Sequence, residues 1–492
     1  TNYSEFELVV LEYFGYNERA KGFHFINREI ENTSTKVDLS LSNTVERTES
    51  ATTEKPAIRK IYKARDIPKL KDEPFVNNHR NFLTSIGHEL SYYRNFDTNT
   101  VKEFSTSWED VSKTLQDSKS FGYELDKNKY YKDDIDNVLS ESSSDTEKIN
   151  NILNFVKNKI KWNEYNSIYC SEKLKKIYEE RTGNVADINL MLTSMLRYAG
   201  FEANPVLVST ISNGIPRFTA STTDFNYVVA GVELGNETTI LLDASNPYTS
   251  INILPTKCIN WYGRLVRPNG TSMQIDLYPK EKSKDNFMMN VKLSEDGSLT
   301  GKMRRQFTDQ YAFRYRSNFI GVDEKEYIEK AGNNFGVNIT EYENENLDIL
   351  SKPVVETFSF EKEDAVDIIN DNIYMSPLLF LAQKENPFKM EQKERKLPIN
   401  FTFPKSQRYL INIDIPEGYK IDYIPEPTAI ALPNNKAIYR FSINESPTGD
   451  LQIVVNQEIN QSILDSEYYL SLKDYFKNIV NKETDKIVLV KI

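Results

Sequence analysis

Thiols and imidazoles are the side chains best suited to covalent chemistry near neutral pH, and this sequence has few of either. There are two cysteines, Cys170 and Cys258, and three histidines, His24, His79 and His88. A nucleophilic cysteine needs a helix N-terminus or a cationic neighbour to hold it as the thiolate. Near Cys170 stand Trp162 and Tyr169 but no histidine, so the expected role of Cys170 is that of a small buried apolar residue. The histidines all lie early in the chain, and none has a metal-ligand spacing with either cysteine. A zinc site is therefore not expected. Asp133, Asp134 and Asp136 cluster, but the spacing and glycine of a calcium loop are missing, which points to a solvated acidic surface. No dinucleotide-binding glycine fingerprint, phosphate loop or Gly-x-Ser-x-Gly elbow occurs. In so acidic a chain no carboxylate pair can be singled out for glycosidase chemistry. The expectation is no metal and no cofactor.

The stretch that positions whatever chemistry there is runs over 181–200, RTGNVADINLMLTSMLRYAG. Asn184 is placed to cap a helix, its side-chain oxygen accepting from a free N–H of the first turn. Ile188, Met191, Leu192 and Met195 recur at helical spacing, and Leu190 and Leu196 widen the apolar face. Asp187 and Asn189 sit on the polar side of the first turn. Gly200 falls where a left-handed residue would close the last turn.

Together with two later stretches, this segment resembles the core of the transglutaminase-like, papain-related superfamily. In that superfamily a Gly-x-Cys loop opens the central helix, with a His on one following strand and an Asp on the next. Carried onto this sequence, the Cys position is Val185. The His position is Tyr227, in Asp224-Phe225-Asn226-Tyr227-Val228-Val229-Ala230, and the Asp position is Asp243, in Ile240-Leu241-Leu242-Asp243-Ala244-Ser245-Asn246-Pro247. Valine has no nucleophilic atom, and a tyrosine with a pKa near 10 is a poor base at neutral pH. The resemblance thus implies a degenerate triad and a pseudoenzyme with no catalytic residues. Trp162, Asn184, Asp187 and Asn226 are the candidates to line the former cleft. Against that reading, Asp187 serves equally to offset the helix dipole, and Asn226 to bond the fold internally.

Composition bounds the rest. At 492 residues the chain should divide into two to four domains. Abundant Tyr (29) and Phe (26) with scarce Gly (18) suit β-rich modules. A net charge of −11, spread along the chain, argues against nucleic-acid binding and against electrostatic docking to an anionic membrane. No apolar run approaches the roughly 18 residues of a membrane span. The chain opens Thr1-Asn2-Tyr3 without Met or signal peptide, which reads as a processed or trimmed product.

In chain order, strands are expected at 5–11, 36–42, 57–64 and 82–93. This region resembles the second half of the β-sandwich that precedes transglutaminase-like domains in Gram-negative envelope proteins, most clearly at Arg65-Asp66-Ile67-Pro68-Lys69-Leu70 and Glu73-Pro74-Phe75. Thr106-Ser107-Trp108-Glu109 enters a helix at 108–115. Ser144-Asp145-Thr146-Glu147 reads as a capping box, ahead of a core-facing stripe of Ile149, Ile152, Leu153, Val156 and Ile160. Strands follow at 203–210, 225–234 and 238–243. A hairpin turns at Glu295-Asp296-Gly297, and a helix covers 322–331. Further strands fall at 354–361, 399–403, 409–415, 420–424, 437–443 and 451–458, then a helix at 465–481 and a strand at 486–492.

The expected fold is α+β multidomain, a papain-like core between β-sandwich-like modules. Its divisions are 1–104 (the second half of a sandwich), 105–270 (the core), 271–385 (a β-rich module with a helical insert) and 386–492 (a C-terminal sandwich-like module). The expected function is that of a non-catalytic binding or scaffold protein of the cell envelope, periplasmic or cell-surface. Its expected partners are proteins, in an outer-membrane complex or as the missing N-terminal strands, with a peptide or glycan as the alternative ligand. The rival reading is a hydrolase or acyltransferase on peptide or glycan with a non-standard nucleophile.

Overall fold

The computed structural model describes residues 2–42, 48–104, 107–217, 219–235, 238–388, 391–447 and 449–492, without the side chains of 39–42 and 48–51. Thr106 of the expected domain entry lies outside the described residues. Its neighbour Ser107 does cap the helix Trp108–Gln116, accepting from the Asp110 N–H at 3.1 Å.

Alternating side chains at the N-terminus give two three-stranded sheets. In one, strand Thr48–Arg65 lies between Tyr3–Leu11 and Asn27–Ser42. In the other, Ser85–Arg94 lies between Phe14–Lys21 and Val101–Glu103. Polar contacts tie the sheets together: Tyr62 Oη meets His88 Nε2 at 2.7 Å, and Lys60 meets Glu18 at 2.6 Å. The buried apolar residues on these strands are few, and Phe6, Phe23, Phe25 and Ile30 are exposed.

The central domain is built on the helix Val185–Tyr198, which is buried continuously from Val185 to Leu196. A helix that is apolar nearly all round must be covered on every side. Strands Ala203–Val208 and Tyr227–Leu234 cover one side, and helices Gly122–Leu125 and Asp145–Lys159 cover the other. The sheet has five antiparallel strands, ordered Thr238–Leu242, Tyr227–Leu234, Ala203–Val208, Tyr262–Val266, Ser272–Asp276. In the acidic tract Asp133 and Asp136 are exposed, and they lie on the helix Lys132–Ser140, anchored by buried Tyr131 and Ile135. Ser144 caps Asp145–Lys159 as expected, but Glu147 reaches past it to accept from the Ser143 N–H at 2.8 Å.

The expected boundary at 385/386 is corrected by the structure. Strands from both sides of it join one eight-stranded sheet: Asn338–Glu345, Val354–Lys362, Leu299–Phe307, Ser283–Leu293, Lys405–Asp414, Leu451–Ile459, Ala437–Glu445, Thr428–Ala431. The join is a parallel pair, Ser283–Leu293 with Lys405–Asp414. Parallel neighbours need a long crossover, so their pairing leaves no local signal in the sequence. A second sheet of four strands and the helix Tyr469–Thr484 complete the same apolar core. Residues 283–492 are thus one C-terminal unit. It also contains elements the sequence did not announce, among them the helix Asp309–Phe319 and the strands Asn338–Glu345 and Thr428–Ala431.

Candidate functional site

The end of the central helix is fixed by its own first turn. Asn184 Oδ1 accepts from the Asp187 N–H at 2.9 Å, and Asp187 Oδ2 accepts from the Asn184 N–H at 2.8 Å, a closed capping box. Asp187 also accepts from Ser171, from its N–H at 2.9 Å and its hydroxyl at 2.6 Å. Burial pushes the Asp187 carboxyl up, and these hydrogen bonds oppose that shift. Gly183 is required just upstream, because a Cβ there would lie 2.8 Å from Asp187 Cβ and 2.9 Å from Ile177 Cγ2.

Val185, Tyr227 and Asp243 are all fully buried. The Tyr227 hydroxyl donates to Asp243 Oδ2 at 2.6 Å and shares a 2.7 Å bond with the Ser245 hydroxyl. Asp243 Oδ1 accepts from the Ser245 N–H at 2.7 Å and from Asn189 Nδ2 at 3.2 Å. Asn189 in turn bonds the Val228 carbonyl and the Ala244 N–H, which links the helix to the sheet. Burial and the neighbouring Asp243 carboxylate push the Tyr227 hydroxyl well above its ordinary range. It is therefore a fixed donor at neutral pH and cannot serve as a base.

The loop 163–170 closes the end of the helix. Its Tyr165 carbonyl accepts from the Val185 N–H at 3.2 Å and from the Trp162 indole at 3.0 Å, and its Tyr169 carbonyl accepts from Asn184 Nδ2 at 3.1 Å. Lys257 lies with its Nζ 3.9 Å from the centre of the Trp162 ring and 4.9 Å from that of Tyr227, and it donates to Asn166 Oδ1 at 3.3 Å. An oxyanion site needs backbone N–H groups left free to donate. Here the Val185 N–H already has a partner.

The residues expected to line the cleft all have hydrogen-bond or ring partners within the fold. Asn184 and Asp187 are spent on the capping box. Asn226 accepts from the Thr210 N–H and donates to the Thr210 hydroxyl, both at 2.9 Å. Trp162 is half-buried, with the Lys257 Nζ over its ring. Cys170 and Cys258 are buried and unpaired with one another, and burial pushes both thiols well up. Cys258 lies against Tyr227 and Asp243, a neighbourhood its place in the exit segment did not reveal. Tyr165 was also missed, because it acts through a backbone carbonyl that any residue would supply. Asn189 did carry a signal, as a lone amide within an apolar helix. Among the described residues no three His, Cys, Asp or Glu side chains gather as a metal site requires.

Residues 133–232 match the model of the Transglutaminase-like superfamily, and residues 371–489 match that of a Domain of Unknown Function with solved structure (DUF3858). A solved structure from Parabacteroides distasonis ATCC 8503, described as a "putative protease", superposes with a TM-score of 0.52 at 12% identity, covering 99% of this chain and 72% of that one. At that identity the likeness is one of fold. A comparison with curated proteins returned no match. The central domain is transglutaminase-like, flanked by β-rich modules.

Proposed function

We propose that this chain is a pseudoenzyme, a binding or scaffold protein of the cell envelope that engages protein partners from the periplasm or cell surface. The observation that carries this reading is the sealed centre. Residue 185 has no nucleophilic atom, its N–H is bonded to the Tyr165 carbonyl, and Tyr227 and Asp243 are fully buried in mutual hydrogen bonds. Each feature alone fits ordinary packing. Together they support the reading of a centre that has neither a nucleophile at position 185 nor a base at position 227. The envelope assignment rests on the resemblance of the modules on either side.

The test is an activity screen on the full chain: fluorescent cadaverine incorporation into casein, and casein cleavage, beside Asp243→Asn and Cys258→Ser. The expected result is no turnover above buffer for any of the three. Turnover by the native chain that either substitution abolishes would overturn the reading and return the hydrolase or acyltransferase alternative.

A further inference from the structure

A cleft of about 750 Å³ runs between the central domain and the C-terminal unit, apart from the sealed centre. Its walls are the helix Asp145–Lys159, the turn 247–251 that follows Asp243, and the loop 347–351. Asn150, Asn154 and Asn158 all line it, and their spacing of four places them in one row along the helix. None of their side-chain amides meets a hydrogen-bond partner among the described residues. Asn154 and Asn158 are exposed and Asn150 half-buried, so their amides are open to a ligand, and helix propensity does not account for three in a row, since asparagine is a weak helix former.

The opposing walls are braced in advance. Lys157 donates to the carbonyls of Pro247 at 3.3 Å and Thr249 at 2.6 Å. Arg316, buried below the loop, donates to the carbonyls of Asn346, Leu347, Ile349 and Lys352 at 2.9–3.0 Å. A braced cleft lined with unused amides is preorganised for a ligand, which lowers the ordering cost of binding.

We propose that this cleft binds an extended peptide segment, with the three asparagine amides pairing to its backbone. An asparagine amide offers both donor and acceptor, as a peptide group does. Four helical residues advance about 6 Å, and two residues of an extended chain advance about 6.6–6.8 Å. Successive asparagines therefore meet alternate peptide residues, and the offset over the row is little more than about 1 Å, within the reach of a flexible side chain. Apolar Ile251 and Ile349 on the walls suit apolar side chains, and exposed Asp348 suits a basic one. Of the lining residues only Tyr248 is aromatic, a poor platform for stacking a glycan. The proposal deepens the binding reading and rests on it, but does not depend on the loss of chemistry.

The test is selection of acetylated, amidated random heptapeptides on the full chain, followed by fluorescence anisotropy with the enriched sequences. Asn→Ala should weaken binding about fivefold per site, and the triple variant N150A/N154A/N158A about 100-fold. Alanine favours helix, so circular dichroism should match the native chain. On the native chain, N-methylating alternate backbone nitrogens should abolish binding in one phase and spare it in the other. Four results would each overturn the proposal: no enrichment, equal binding by the triple variant, indifference to methylation phase, or chitohexaose competing for the same asparagines. Bound peptides recovered cut would refute the pseudoenzyme reading while leaving the cleft in place; absence of binding without cleavage would do the reverse.

Discussion

Replacing Tyr227 with Phe removes one oxygen and keeps the ring, so its effect isolates the hydrogen bonds at the centre. Asp243 is fully buried, and the Tyr227 hydroxyl is the one donor to its Oδ2 among the described residues, at 2.6 Å. The Ser245 hydroxyl also loses its 2.7 Å partner. A hydrogen bond to a charged group is worth about 1.5–3 kcal/mol, and the stranded buried oxygen gains no water in return. The expected loss is about 2–3 kcal/mol, which lowers the melting transition of the central domain by roughly 4–12 °C. Differential scanning calorimetry reads the shift. Hydrogen exchange on strand Tyr227–Leu234 locates it, which matters because a chain of several domains has no single unfolding free energy. A shift below about 1 °C would show that Tyr227 serves only as an apolar ring, and the sealed-centre account would lose its main strut.

Two further outcomes follow from the burial pattern. Both cysteines are buried with thiols pushed up, so the native chain should release almost no thionitrobenzoate from Ellman's reagent and two equivalents after denaturation; rapid native labelling of either would refute the closed centre. Glu483, 3% exposed and bonded to the Gln383 N–H at 2.7 Å and the Tyr439 hydroxyl at 3.2 Å, has its carboxyl pushed by burial from 4.5 to about 7. The folded state then binds more protons than the unfolded one between those values, so its stabilising contribution is full below about pH 4.5 and lost as pH rises through 7. The loss should be on the order of 3 kcal/mol in the C-terminal unit, read from urea midpoints at pH 5 and 8. Glu483→Gln should flatten the dependence; an unchanged slope would refute the assignment.

The sequence was legible where the signal is local. The cap at Asn184, the apolar periodicity of the central helix, the left-handed Gly200 and the Glu295-Asp296-Gly297 hairpin all stand within a few residues of what they predict, and the structure places each accordingly. It was not legible where the partner is distant or is backbone. The pairing of Ser283–Leu293 with Lys405–Asp414 spans more than a hundred residues. The bond that closes the helix end uses the Tyr165 carbonyl, which has no residue signature. Asp187 was ambiguous for a related reason: an acidic residue in the first helical turn serves the dipole or a cleft equally well, and only its contacts with Asn184 and Ser171 decide. The helix Asp309–Phe319 hid because its buried face includes Gln310 and Arg316, which read as surface. Each is instead spent on backbone carbonyls, Gln310 on that of Leu254.

One segment connects the sealed centre with the open cleft. The Asp243 carboxylate faces Tyr227, while its carbonyl accepts from the Thr249 hydroxyl at 2.5 Å, and the carbonyls of Pro247 and Thr249 hold Lys157. A buried aspartate can anchor such a turn only while its oxygens keep their donors. An imidazole at position 227 would change its hydrogen-bonding character as it titrates near neutral pH. A tyrosine whose hydroxyl is pushed up by burial donates throughout the physiological range. The tyrosine that replaces the base in the pseudoenzyme reading we propose is thus the one that keeps the turn, and with it one wall of the cleft, in a single geometry. On this argument the closed centre is the mechanical support of the binding site.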